Sequence, residues 1–386
     1  MDLSYTPAQD AFREEVRSWL ERHVPAEPLP SFDTKEGFDA HRAWEKRLDE
    51  GGYSMVPWPV EYGGRGADLL EWLIFEEEYY RVGAPKRVNQ NGIFLLGPTI
   101  MEYGTPEQRA RFLPKMASSE EVWAQGWSEP NAGSDMAAIQ ATAVREGDHY
   151  VVNGQKTWAS RGAYADWLFG MFRTDPDSVR HRGLTFILVP LDLPGVTVRP
   201  IEQLDGLPGF AEVFLDDVRV PAENRLGDEG RGWQVAMSTA GFERGLMLRS
   251  PARFQETARR LVELYRAHAD RAEPALRNEV VRCWADAEAY TLETYRTVSR
   301  LLDGAKIGPE ASLNKIFWSE LDLRMHETAL QILEERAELL PEAPAAHDVG
   351  SWLDGYLFAL SGPIYAGTNE IQRNIIAERI LGLPRA

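Results

Sequence analysis

Thr142-Ala143-Val144-Arg145-Glu146-Gly147-Asp148-His149-Tyr150-Val151-Val152-Asn153-Gly154-Gln155 places β-forming residues around two turn signals, Glu146-Gly147-Asp148 and Asn153-Gly154. That pattern predicts a meander of short strands with a turn at each signal. Leu184-Thr185-Phe186-Ile187-Leu188-Val189, Val196-Thr197-Val198 and Val213-Phe214-Leu215 continue it, separated by proline and glycine. Upstream the period is helical. Thr6-Pro7 and Thr105-Pro106 each read as an N-cap followed by proline at the first helical position. Between them, Glu71 to Tyr80 mixes apolar and acidic residues at helical spacing. From Gly230 onward long helical patterns return, with few interruptions before Pro341. Helices, then strands, then helices predict an α+β chain, and disfavour the alternating order of a Rossmann fold. The predicted domains are residues 1–120, helical; 121–229, β; and 230–386, helical.

The composition narrows the function classes. A chain of 386 residues exceeds what one core usually serves, and 44% hydrophobic residues argue for a folded protein. A net charge of -18 argues against nucleic-acid binding, which needs Lys and Arg on phosphates, but not against a local anion site. The single cysteine, Cys283, precludes an intrachain disulfide and fits a reducing cytoplasm. Asp2, Asp10, Glu14 and Glu15 interrupt any signal-like apolar run at the start, and no run approaches the ~20 residues of a membrane span. The sequence thus predicts a soluble cytoplasmic protein.

Three stretches carry chemistry. Gln125-Gly126-Trp127-Ser128-Glu129-Pro130-Asn131-Ala132-Gly133-Ser134-Asp135 begins the β-region, and Gly154-Gln155-Lys156-Thr157-Trp158-Ala159-Ser160 follows it. Ser361-Gly362-Pro363-Ile364-Tyr365-Ala366-Gly367-Thr368-Asn369-Glu370-Ile371-Gln372-Arg373 lies near the C-terminus. Seen alone, the first of them is an ordinary polar turn. In this order and spacing the three resemble the acyl-CoA dehydrogenase family over most of the chain. The resemblance implies an N-terminal helical domain, a middle β-barrel-like domain and a C-terminal four-helix bundle. It also implies FAD as cofactor and an acyl-CoA substrate.

A flavin ring is a flat apolar body with a hydrogen-bonding rim, and needs aromatic cover with a few hydroxyls and amides. By resemblance, Gln125, Trp127 and Ser128 contact its pyrimidine side, Trp158 covers the ring, and Ser160 donates near N5. Ser128 and Ser160 stand where the family usually has threonine, which keeps the hydroxyl. Thr368 and Glu370 correspond to further cofactor contacts, with Glu370 in place of a frequent glutamine. Ser134 corresponds to an acyl-CoA contact.

The residue after Tyr365, often the catalytic glutamate in the family, is Ala366. Upstream, Gly241-Phe242-Glu243-Arg244, read as the start of a helical stretch, puts Glu243 where isovaleryl- and long-chain-type members carry their base. The chemistry needs a carboxylate at C2 and a polarised thioester oxygen. The resemblance makes Glu243 the base, leaves the Ala366 amide to hold the oxygen, and gives Arg244 to the CoA side. The alternatives are an ion pair of Glu243 with Arg244 or a helix-capping role.

Two family elements that reach a neighbouring subunit's FAD are altered. In Asp270-Arg271-Ala272-Glu273-Pro274 the expected phenylalanine is Pro274. In Gln331-Ile332-Leu333-Glu334-Glu335 both expected glycines are glutamates, which repel a pyrophosphate and obstruct close backbone approach. The expectation is a hetero-oligomer with a related subunit, otherwise a homo-oligomer with altered contacts, with an electron-transfer flavoprotein as acceptor. A non-catalytic subunit and an oxygen-using acyl-CoA oxidase are the alternative activities.

Overall fold

The computed structural model describes residues 4–243, 250–270, 272–305, 307–339, 343, 345–346 and 350–384. The chain opens with α1 (Pro7–His23), α2 (Lys35–Glu50), α3 (Leu69–Arg81), α4 (Gly97–Tyr103) and α5 (Pro106–Ala117). Eight strands follow: β1 (Trp123–Gly126), β2 (Thr142–Glu146), β3 (His149–Ser160), β4 (Trp167–Arg173), β5 (Leu184–Pro190), β6 (Val196–Ile201), β7 (Phe210–Pro221) and β8 (Arg225–Leu226). Then come α6 (Gly232–Glu243), α7 (Pro251–Ala267), α8 (Pro274–Leu302), α9 (Ala311–Leu333), α10 (Gly350–Ala359) and α11 (Asn369–Ile375). Helices, a mainly antiparallel sheet and helices again make the α+β architecture that the sequence pattern predicts.

The caps explain why the early helices start where they do. Thr6 Oγ1 accepts the Gln9 amide ahead of α1. At α5, Thr105 and Gln108 form a reciprocal capping box with Pro106 at the first turn. Gln108 Nε2 then donates to the carbonyls of Glu223 and Arg225, so the capping residue also ties down the chain leading into β8.

By contacts the chain divides into two compact units. One comprises residues 24–68 and 85–243, and the other residues 1–23, 69–84 and 244–386. In the first, the strands run in the order β6-β7-β3-β2-β4-β5-β8, with β1 added parallel to β4. Inward residues such as Tyr150, Val152, Phe172, Ile187 and Val213 form its core. Glu146-Gly147-Asp148 turns the chain between β2 and β3 as predicted, with Gly147 at φ 65°.

Asn153-Gly154 does not turn the chain. β3 runs straight through it from His149 to Ser160. The irregularity lies on β7, where two residues, Asp216 and Asp217, face Asn153 alone. Asn153 clasps this bulge, donating from Nδ2 to Asp217 Oδ1 (2.9 Å) and accepting the Asp217 amide (2.9 Å). Gly154 is required by proximity, since a Cβ there would lie 2.5 Å from Ala141 Cβ. The Asn-Gly pair that reads as a hairpin serves a close approach of neighbouring strands instead.

In the second unit, α7, α8, α9 and α10 enclose a core including Phe254, Leu261, Cys283, Trp318, Met325 and Trp352. Two N-terminal helices belong to this unit. Glu78 on α3, with a side chain only 1% exposed, accepts from Arg13 (3.1 Å) and Arg17 (3.0 Å) of α1 and from Arg81 (2.7 Å). Burial alone would raise the Glu78 carboxyl; the hydrogen bonds from Arg17 and Arg81 outweigh it and hold the group below its usual range. Among the described residues, no helix is long and apolar enough to cross a membrane.

Candidate active site

β1 carries the first motif. It is fastened at its start, where Asn89 Oδ1 accepts the Trp123 amide (3.0 Å) and Asp166 Oδ2 accepts the Val122 amide (2.8 Å). Gln125 is half-buried opposite Phe169. Trp127 is buried, and its indole Nε1 meets no hydrogen-bond partner among the described residues. A buried N–H left open is costly unless something else accepts from it. Ser128 is half-buried, and its carbonyl accepts the Thr157 amide (2.9 Å), so the first motif is hydrogen-bonded directly to the second.

The second motif occupies the end of β3. Between Lys156 and Ala159 two residues, Thr157 and Trp158, face only Glu212 of β7, which makes a bulge. Trp158 sits on it with φ 58°, a left-handed conformation that bulky side chains rarely adopt. Its indole is 59% exposed and touches Phe210 edge-on at 5.9 Å between ring centroids. Ser160 pairs with Phe210 one register step on. Trp127, Ser128, Trp158 and Ser160 are thus brought to adjoining strand ends of one unit, and Gln125, the first residue of the first motif, lies on β1. Ser134 is exposed on the loop beyond.

Residues 366–370 lie in the other unit. Ala366 (φ 56°) and Gly367 (φ 77°) are consecutive left-handed residues. The buried Gln372 donates from Nε2 to both of their carbonyls, at 3.1 and 3.3 Å, and so fixes the turn. Thr368 caps α11 by accepting the Ile371 amide. Glu370 is exposed in the first turn, where its own backbone amide and then the Thr368 hydroxyl hold its carboxyl below the usual range. Beneath the turn, the buried Lys315 donates to Asn369 Oδ1 (2.8 Å).

Glu243 lies in α6, eleven residues after the helix begins at Gly232, so it does not open a helix. The chain enters α6 from the turn at Gly230 and Arg231, and the helix is already twelve residues long when it reaches Glu243. The Glu243 side chain and Arg244 lie outside the described residues, as does Arg271. Pro274 is the first residue of α8. Glu334, immediately after α9, has φ 51° and ψ -128°, the geometry of a II′-turn position that favours glycine. Glu334 and Glu335 are both exposed.

Two features beside these motifs were not singled out from the sequence. One is Gln372. The other is the pair Lys156 and Glu129: the Lys156 side chain is wholly buried, and its Nζ donates to Glu129 Oε1 and to the Met171 carbonyl, both at 2.8 Å. Burial pulls the Lys156 ammonium below its usual value, and Glu129 pulls it back up in part. A lysine inside a β-pattern two residues from a tryptophan was the available signal. A cavity of about 610 Å³ between α8 and α9, bordered by Tyr290, Arg296, Arg300 and Phe317, contains none of the predicted site residues.

An exposed indole held in a strained conformation, a buried indole N–H open to a partner, and two hydroxyl-bearing residues suit a flat heteroaromatic ring with a polar rim. The flavin that the resemblance implies is a ring of that kind. The comparisons with known proteins agree. Residues 6–120, 124–218 and 230–381 match the N-terminal, middle and C-terminal domains of acyl-CoA dehydrogenase. The acyl-CoA dehydrogenase IpdE1 of Mycobacterium tuberculosis is 40% identical, over 97% of this chain and 98% of its own. Among solved structures, the ChsE4-ChsE5 complex from Mycobacterium tuberculosis aligns at a TM-score of 0.86 with 34% identity over the whole of both chains. The Tcur3481-Tcur3483 steroid ACAD aligns at 0.87 with 28% identity, again over the whole of both chains. The chain belongs to the acyl-CoA dehydrogenase family and is an acyl-CoA dehydrogenase.

Proposed function

We propose that this chain is a catalytic subunit that oxidises a steroid-derived acyl-CoA thioester to its trans-2-enoyl form and passes the electrons to an electron-transfer flavoprotein. Trp158 carries the flavin half of the reading: a large exposed indole, held left-handed on a bulge whose Thr157 amide is bonded to the Ser128 carbonyl. The bound FAD supplies the acceptor for the hydride leaving the β-carbon. The chain supplies the rest. Trp158 covers the ring, while Gln125, Trp127, Ser128 and Ser160 meet its rim, and Thr368 and Glu370 hold further parts of the cofactor. Glu243 takes the α-proton. The Ala366 amide, in a turn fixed by Gln372, polarises the thioester oxygen as enolate charge develops. Ser134 and Arg244 contact the acyl-CoA.

The hetero-oligomer is part of the same proposal. Glu334 holds a glycine-like backbone geometry while presenting a carboxylate, and Pro274 opens α8 where an aromatic residue is expected. Both are consistent with a chain whose contribution to a neighbour's cofactor has lapsed and is made by a related subunit. Two similar structures are themselves described by paired names, ChsE4-ChsE5 and Tcur3481-Tcur3483, and the latter as a steroid ACAD. Glu334 and the exposed Glu335 beside it also favour the second reading, a subunit that does no chemistry.

Replacing Glu243 with Gln separates the two. The change keeps size and hydrogen bonding but removes proton acceptance. For a catalytic subunit, turnover falls by roughly two orders of magnitude or more while the flavin absorbance stays. Unchanged turnover overturns Glu243 as the base and favours the subunit that does no chemistry. Counting flavin per chain in the purified assembly tests the pairing: one FAD per chain in a fully active homo-oligomer overturns it.

A further inference from the structure

Lys156 and Glu129 take no part in the proposed chemistry, yet they form a buried ion pair next to it. Each is one or two residues from a predicted flavin contact: Glu129 follows Ser128, and Lys156 precedes Trp158 by two. Glu129 uses its whole carboxylate. Oε2 accepts the Gln140 amide (2.6 Å), and Oε1 accepts the Ala141 amide (3.0 Å) as well as Lys156 Nζ. Its backbone closes a tight bridge with Ala132, with both N–H to O distances at 3.0 Å. Lys156 Nζ reaches on to the Met171 carbonyl of β4 and lies 4.8 Å from the centre of the Phe172 ring. One pair of side chains therefore joins the loop after β1, the chain entering β2, and strands β3 and β4.

The bulge that carries Trp158 begins at Lys156. A left-handed tryptophan costs about 1–2 kcal/mol and persists only where its surroundings fix the backbone. What fixes it on one side is the Thr157 amide bond to the Ser128 carbonyl, and both flanks of that bond end in the ion pair. We propose that Lys156 and Glu129 are positioning residues that latch the Ser128 loop to the Trp158 bulge and so set the flavin-binding geometry. The inference rests on the flavin reading of Trp127, Ser128, Trp158 and Ser160. A sheet needs no buried charge for stability, because an apolar pair of similar volume often does as well or better. A latch has a different requirement, namely several directed bonds from one point.

The test uses the purified protein with Lys156→Met, Glu129→Gln, and the two combined. Either single change leaves a buried polar group poorly partnered and lowers the unfolding temperature. The double variant carries no buried charge, but its side-chain amide accepts only one of the two backbone amides and the Met171 carbonyl loses Nζ, so it is compared with the parent at a temperature where unfolding scans show both folded. Its expected defects are local. Amide exchange speeds up at least tenfold in peptides covering residues 126–134 and 155–161, the dissociation constant for FAD titrated into apoprotein rises at least tenfold, and the visible circular dichroism of the bound flavin changes. A double variant with parental exchange, FAD affinity and flavin dichroism overturns the proposal. So does one defect without the other: faster exchange with unchanged FAD binding, or weakened FAD binding with unchanged exchange. A parent protein that holds no FAD, alone or with a related subunit, overturns the flavin reading and this inference with it, before any variant is made.

Discussion

Trp158 and Glu334 both put a large side chain on a left-handed backbone, at φ 58° and 51°, and their surroundings differ in kind. Trp158 lies on a bulge with a buried ion pair two residues back and paired strand on either side. Its indole is turned outward although aromatic residues gain most from burial. Glu334 lies where α9 gives way to a 3-10 turn, with an exposed carboxylate and a ψ of -128° that suits glycine better than any side chain. The first is strain with a structural reason on every side. The second is a glycine-like geometry that a glutamate occupies. Ala366 stands between them: it too is left-handed, but its small side chain costs less and Gln372 holds its carbonyl.

Three substitutions sharpen or break this comparison. The largest effect is expected at Gln372. Changing it to Leu keeps the buried volume and removes the donor to the Ala366 and Gly367 carbonyls, costing about 1–3 kcal/mol if both are left without partners. Urea unfolding measures the loss. With the turn loosened, turnover with acyl-CoA falls further than flavin content, because the Ala366 amide is assigned to the thioester. Unchanged stability shows that the turn holds itself, and moves Ala366 closer to the Glu334 case.

Trp158→Gly comes next and has two effects. Glycine accepts the left-handed conformation, and the relief of strain, about 1 kcal/mol, offsets the lost Phe210 contact and the added chain freedom, so the apoprotein's stability stays within about 1 kcal/mol of the parent's. The missing ring weakens FAD binding by roughly tenfold, about 1.4 kcal/mol, the order of an aromatic stacking contact. A gain in both stability and FAD affinity makes Trp158 strain without function.

Much of this architecture was legible in the sequence because its signals are local. The Thr105 cap, the turn at Gly147 and the return to helix after Gly230 each depend on a few adjacent residues. Asn153-Gly154 was misread as a turn because its cause is distant: Ala141 and Asp217 lie beside it across the sheet. The same holds for the site. Trp158 and Ser128 could be named from their motifs, but nothing in the linear order shows that the Ser128 carbonyl accepts the Thr157 amide. Nor does it show that Lys156 is buried against Glu129, 27 residues earlier. Glu243 was read at the start of a helical stretch, whereas α6 had begun eleven residues sooner. Motif residues are visible in sequence, and the side chains that hold them in place are visible only once strands are paired.

The smallest expected effect is at Glu334. Replacing it with Gly removes a side chain from a backbone position that suits none, and should stabilise the chain by about 1 kcal/mol. That corresponds to a rise of roughly 2–4 °C in unfolding temperature for a unit of this size. The gain is offset in part because glycine has more freedom to lose on folding. Since Glu334 belongs to the unit without Trp158, the FAD affinity associated with Trp158 should not change. Flavin content is the second measurement. With Glu335 also changed to Gly, the repulsive carboxylates are gone, and the protein expressed alone should carry more FAD per chain if this segment still faces a neighbour's pyrophosphate. A rise in stability without a rise in flavin leaves Glu334 as strain alone, and the argument for a second subunit then rests on Pro274. A fall in stability means that Glu334 makes a contact worth more than its strain, and the contrast with Trp158 fails.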